Sequence, residues 1–149
     1  MNIKQELYRL CKANVNKRLQ TVEDIISSNQ KALQSETKSS AGDKHETGRA
    51  MLQLEMEKAG QQLNGISQMK ETLARIDAEK TSNIAHLGSI IYTNKANYFL
   101  SISVGQLIVA DKVYFAISVV SPIGKLLLGK QKGEKISFNG NEIKIDKIF

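Results

Sequence analysis

Apolar residues in the first half of the chain return every three or four positions, and in the second half every two. Between residues 2 and 35 they fall at Ile3, Leu7, Leu10, Val15, Leu19, Val22, Ile26 and Leu33. This is the stripe of one long amphipathic helix, and no proline interrupts it. Residues 46–79 repeat the rhythm at Leu52, Met56, Ala59, Leu63, Ile66, Met69, Leu73 and Ile76. The step averages about 3.5, the period of a coiled-coil seam. Between the two stripes, "QSETKSSAGDK" is small, polar and glycine-containing, which is turn chemistry.

Two helices of nearly equal length around one short loop predict an antiparallel coiled-coil hairpin. About 34 residues at roughly 1.5 Å each give an arm about 50 Å long. Each stripe then buries against the other, so the arm is expected to need no support from the rest of the chain. Gly60 and Gly65 interrupt the second helix. Each costs about 1 kcal/mol relative to alanine, and both are expected to mark points where the helices approach closely.

From Gly88 the period is two. "GSIIYTN", "NYFLSIS", "QLIVA", "KVYFAIS", "EKISFN" and "NEIKIDKI" are short β-branched and aromatic runs, split by "NKAN", "VG", "AD" and "NGN". One segment, "SPIGKLLLGK", breaks the alternation. There Ser121 suits an N-cap, Pro122 a first helical position and Gly129 a helix end. The prediction is a small, strongly bent antiparallel β domain carrying one short helix. The expected class is therefore α+β, with a hairpin over 1–80, a β domain over 81–149, and residues 80–87 as the link.

Composition adds little to the fold but narrows the setting. The 149 residues are 41% hydrophobic and 24% charged, which argues against wholesale disorder. No apolar run is long enough to cross a bilayer, and "MNIKQELYRL" lacks the apolar core of a signal peptide. With a single cysteine, Cys11, no disulfide can form within the chain, and a cytoplasmic location is expected. The net charge of +6 divides as +3 over residues 1–35, −1 over 36–80 and +4 over 81–149. A basic surface favours an acidic protein or a nucleic acid as partner. The basic residues are mostly scattered lysines with few aromatics among them, so a base-stacking surface is not indicated.

Three patterns bear on chemistry. "GKLLLGKQ", Gly124 to Gln131, fits the spacing of a phosphate loop, but Gln131 stands where that loop needs Ser or Thr. Its three leucines call for burial, so a short buried helix is the expected reading. Cys11 has no sequence-adjacent base, and His45 and His86 lie at other points of the predicted fold. Cys11 is therefore expected to act as a small hydrophobe. The third pattern is Asp43 and Glu46. D-x-x-E at a helix start is a capping box, and both acids suit the positive end of the helix dipole. The same pair at the tip of an arm could also help hold magnesium if delivered into another enzyme's active centre, where phosphates and water complete the shell. Spacing alone leaves both roles open.

Three stretches together resemble the bacterial Gre transcript-cleavage factors. "SPIGKLLLGKQKGEKISF", residues 121–138, resembles that family's C-terminal signature. "LGSIIYT", residues 87–93, is similar to its first C-terminal strand, and "AGDKHE", Ala41 to Glu46, to its G-D-x-x-E tip. The three stand in the family's order along nearly the whole chain. The resemblance implies a coiled-coil arm, an FKBP-like C-terminal domain, and a monomer that docks on RNA polymerase through the secondary channel. Ser121, Pro122, Ile123 and Gly124 would serve partner binding. Asp43 and Glu46 would share the polymerase's catalytic magnesium, and backtracked RNA would be cut by the polymerase itself. Contact with nascent RNA and the DNA template would be indirect, with no cofactor bound stably by the chain alone and no membrane involved. The protein would then be an activator and not itself an enzyme.

The tip departs from the family pattern, because Thr47 and Arg49 follow the acid pair and Lys44 and His45 lie between its members. That keeps open a channel-binding regulator without strong cleavage. A prolyl isomerase is a more distant reading, since it requires an aromatic-lined pocket.

Overall fold

The computed structural model describes residues 2–38 and 43–149, with side chains described for 2–35 and 47–149. Two long helices come first, α1 (Ile3–Lys38) and α2 (Asp43–Ala74). Six strands and a short helix follow: β1 (Ile90–Thr93), β2 (Asn97–Ser101), β3 (Gly105–Val109), β4 (Lys112–Ser118), α3 (Pro122–Leu127), β5 (Lys135–Phe138) and β6 (Asn141–Ile148). The class is α+β.

Local chemistry explains the helix ends. Asn2 starts α1, its Oδ1 accepting from the Gln5 N–H at 3.2 Å, which satisfies one of the orphan donors of the first turn. With no glycine or proline before residue 42, α1 continues to Lys38, past its expected end at 35. α2 begins at Asp43, earlier than expected, and stops at Ala74, short of the expected 79. There the Arg75 and Ile76 N–H groups bond back three residues, to the Thr72 and Leu73 carbonyls. Asp77 Oδ1 then accepts from the Glu79 N–H at 3.0 Å, a side-chain turn that competes with further helix.

The chain divides into two compact units, one built from Met1–Asn14 with Lys70–Phe149 and the other from Val15–Met69. In the second unit the buried positions of α1 are Val15, Val22 and Asn29, and those of α2 are Ala59 and Ile66. Each set is spaced by one heptad. Arg18 Nη1 donates to Met69 Sδ at 3.8 Å. Farther along, Ile25 and Asn29 share the walls of a cavity with Ala59 and Gln62. Gly60 and Gly65 are not close-approach points: both are exposed, and a Cβ at either would meet no atom within 4 Å.

In the first unit the sheet order is β3-β4-β2-β1-β6-β5. It is mixed and not wholly antiparallel, because β2 and β4 run parallel, with Phe99 beside Ala116. Residues 102–104 carry the chain past the place next to β2. A tight turn at Ala110 and Asp111, both at positive φ (52° and 64°), then returns β4 into that place, and its Ile108↔Val113 pairing with β3 is a hairpin. The sheet bends where β1 meets β6. Tyr92 faces Lys147 while Thr93 faces Ile145, leaving Asp146 as the extra residue of a bulge.

The core of this unit gathers Ile91, Leu100, Leu127, Ile136, Ile143 and Ile145. The first turns of α1 belong to the same unit, which corrects the expectation of a self-sufficient arm. Leu7 and Cys11 are fully buried, and Cys11 Sγ lies 3.8 Å from Ser101 Oγ on β2. Residues 80–87 are tied down as well. The Ala85 carbonyl accepts from the Gly129 N–H, and its own N–H donates to the Lys130 carbonyl, both at 2.8 Å.

Candidate functional site

The "SPIG" segment builds a capped, tightly seated turn. Ser121 is the N-cap of α3, in extended backbone at φ −69°, ψ 158°. Its Oγ accepts from the Gly124 N–H at 3.1 Å and donates to the Ser118 carbonyl at 2.6 Å. Pro122 takes the first helical position, where a missing N–H loses no bond. Gly124 is buried, and a Cβ there would stand 2.0 Å from the Ser118 carbonyl oxygen. Past the helix, Gly129 adopts φ 83°, the left-handed conformation that favours glycine.

Of the four residues expected to serve partner binding, two face inward. Gly124 is buried, Ile123 packs against the core, and Leu127 beyond them is fully buried. Pro122 is exposed and Ser121 half-buried. Around them Val120 is 70% exposed and Leu126 and Leu128 also reach solvent, with Lys125 and Lys132 exposed nearby in the chain. An apolar surface next to lysines suits a partner that is apolar and acidic.

The same bonds explain why "GKLLLGKQ" is no phosphate loop. The Lys125 N–H donates to the Ser121 carbonyl, Leu128 to Gly124, Gly129 to Ala85 and Lys130 to Leu127. Those backbone groups are spent within the fold, whereas a phosphate loop presents them to its ligand.

Asp43 is the first residue of α2, and Glu46 stands in its first turn. The side chains of Asp43, Lys44, His45 and Glu46 lie outside the described residues, as do residues 39–42. Neither the capping box nor a metal-holding arrangement is therefore described. Among the described residues, no three His, Cys, Asp or Glu side chains cluster as a metal site.

Cys11 matches the inert reading. Burial pushes its thiol up to about 11, against a smaller opposing effect from the Ser101 hydroxyl. A thiol held protonated is a poor nucleophile. His86 is engaged locally, its Nδ1 lying 2.8 Å from Ser89 Oγ and 3.1 Å from the Ile84 carbonyl oxygen.

The aromatic residues of the sheet are largely committed to packing. Phe99 and Tyr114 are fully buried, and the Tyr92 and Tyr114 hydroxyls share a hydrogen bond of 3.1 Å. Tyr92 and Phe149 wall a cavity of about 320 Å³, which also takes in Lys4 and Glu79. Charged groups thus stand where a proline ring requires an apolar, aromatic lining.

Of the four buried polar residues among those described, two lie on α1. Lys4 is only 4% exposed, and its Nζ donates to the Lys80 carbonyl at 2.7 Å. Burial lowers its amine from the usual lysine range, with the Asp77 charge acting the other way. Asn29 is 7% exposed, and its Nδ2 has no hydrogen-bond partner. Both were detectable by position, since Lys4 lies on the stripe of Leu7 and Cys11, and Asn29 continues the heptad of Val15 and Val22. Among the described residues, no helix is long and apolar enough to cross a membrane. The chain matches no protein-family model, and no curated protein matches it significantly.

Proposed function

We propose that this chain is a transcription elongation factor of the Gre kind, working in the cytoplasm on RNA polymerase. In this reading α1 and α2 form an antiparallel coiled-coil hairpin, and the sheet unit is an FKBP-like docking domain. Support for the hairpin comes from the Arg18–Met69 contact and from the cavity shared by Asn29 and Ala59, whose residue numbers rise on one helix as they fall on the other. The observation that carries the function is the position of Asp43. It opens the second of two helices of 36 and 32 residues, so in a hairpin the acid pair would stand at the turn between them. The sheet unit carries the "SPIG" turn.

The arm would enter the polymerase's secondary channel while the surface around Pro122 docks at its rim. Asp43 and Glu46 would hold a magnesium ion shared with the polymerase. Two carboxylates one turn apart form a donor set that suits a hard cation completing its shell with water and phosphate oxygens. When bound, such an ion lowers the pKa of attacking water and stabilises the departing phosphate oxygen. The chain's own contribution is to position the carboxylates. The test is to add the protein to backtracked polymerase complexes and look for shortened RNA 3′ ends. Binding without any shortening would overturn the cleavage role.

One observation favours a second reading. In the sequence, Lys44 and Arg49 stand among and just after the acid pair, with His45 between its members, and positive charge there would oppose cation binding. A channel-binding regulator without strong cleavage would bind polymerase equally well and leave the 3′ ends intact.

A further inference from the structure

Among the described residues, the buried seam positions of the second unit are apolar except at one. Val15, Val22 and Asn29 recur one heptad apart on α1 and are all buried, as are Ala59 and Ile66 on α2. At Asn29 the heptad delivers a carboxamide where its equivalents are valines. The Nδ2 group is buried and unpartnered. Asn29 shares a cavity of about 610 Å³ with Ala59, the smallest of the buried seam residues, and with Thr21, Ser28 and Gln62. Asp24, in the same wall, accepts from Gln20 Nε2 at 2.9 Å and leaves the amide alone.

An unpartnered amide in a helix seam is unfavourable in every register, but unequally so. Beside Ala59 it has a methyl group and a hollow also walled by Thr21, Ser28 and Gln62. If α2 slid by one heptad in either direction, Asn29 would face Leu52 or Ile66. Both are large and apolar, and they would crowd the amide with hydrocarbon. Val22, opposite Ile66, discriminates little, since a slip presents it with Ala59 or Leu73. A polar group at one seam position is the recognised means of fixing register at some loss of stability.

We propose that the Asn29–Ala59 layer is the register lock of the arm, so that Asn29 is the positioning residue that decides which residues stand at the junction of α1 and α2. This rests on the antiparallel pairing proposed above. A slip by one heptad would replace Asp43 and Glu46 at the junction by residues several positions away. The lock would therefore place the acid pair at a distance from any contact it makes.

The test uses spin labels at Lys17→Cys and Glu57→Cys, two exposed sites, in the full chain with Cys11→Ala. With Asn29 present, pulsed electron-electron distance measurement is expected to show one dominant separation. Asn29→Leu is expected to raise Tm and to add a second population shifted by about 10 Å, the rise of one heptad. The conservative Asn29→Gln keeps a carboxamide at the position and is expected to keep one population. A single population in Asn29→Leu, or two in Asn29→Gln, would overturn the lock. No dominant separation in the Asn29 protein would instead refute the helix pairing itself, and the lock with it.

Discussion

Gly124 lies so close to Ser118 that a Cβ would stand 2.0 Å from the Ser118 carbonyl oxygen and 2.9 Å from Ser121 Oγ. The nearest obstacle is backbone, which cannot rotate away as a flexible side chain can. Gly124→Ala is therefore expected to behave as an overpacked core substitution, costing about 1–3 kcal/mol and lowering Tm by several degrees. Calorimetry checks this, and an unchanged Tm would show that the turn adjusts without cost.

Gly60 and Gly65 should respond in the opposite direction. Both face solvent within α2, and an added Cβ meets nothing within 4 Å. Replacing each by alanine is expected to stabilise the protein by about 1 kcal/mol, the difference in helix propensity. Urea unfolding of the single and double variants measures it. A loss of stability would mean that the glycines answer a requirement other than space.

The two roles of the acid pair can be separated because Asn caps about as well as Asp, and Gln replaces Glu in a capping box. If the pair holds magnesium in the polymerase, Asp43→Asn with Glu46→Gln keeps Tm and polymerase affinity. Cleavage of backtracked RNA should then fall by about 10²-fold or more, as when a charge-stabilising group leaves an active centre. Undiminished cleavage would end the metal role. A drop in helicity would show that the charges themselves support the helix start.

Cys11 offers a pH test. Its thiol is raised from 9.0 to about 11 by burial, so the folded chain holds the proton after the unfolded chain has released it. The unfolded state then binds fewer protons, and stability falls as pH rises. The contribution is fully present below pH 9 and is lost between about 9 and 11. The stability advantage over Cys11→Ala should shrink across that window. Alkylation of the native protein at pH 8 should be far slower than that of the unfolded chain, and equal rates would contradict the burial.

Much of the fold was legible because local patterns and global packing agree. The stripes of α1 and α2 gave two long helices, the change of period at Gly88 marked the sheet, and "SPIG" announced a capped helix. Asn139 and Gly140, both at positive φ, form the tight turn expected of "NGN". What escaped was set by contacts distant in sequence. Nothing in "KVYFAIS" says that β4 lies between β3 and β2, because neighbour order depends on where residues 102–104 lead the chain. The end of α2 was misjudged because Ile76 continues the apolar rhythm, while the Asp77 side chain stops the helix with its own hydrogen bond. Lys4 and Asn29 are polar by type although their positions on the stripe of α1 are interior. At the candidate site, the residue types of the tip were readable, and the inward packing of Ile123 and Gly124 was not.

The Cys11–Ser101 contact joins one of the earliest turns of the chain to a strand made some ninety residues later. During synthesis, the segment carrying Leu7 and Cys11 emerges before the strands and has no sheet on which to fold. It must wait while α2 is made and the strands emerge. A fragment starting at residue 81 would lack that cover, exposing the Ser101 side of β2, and is expected to aggregate or fold poorly until a peptide spanning residues 1–14 is supplied. A segment translated before the strands finds its place only after them.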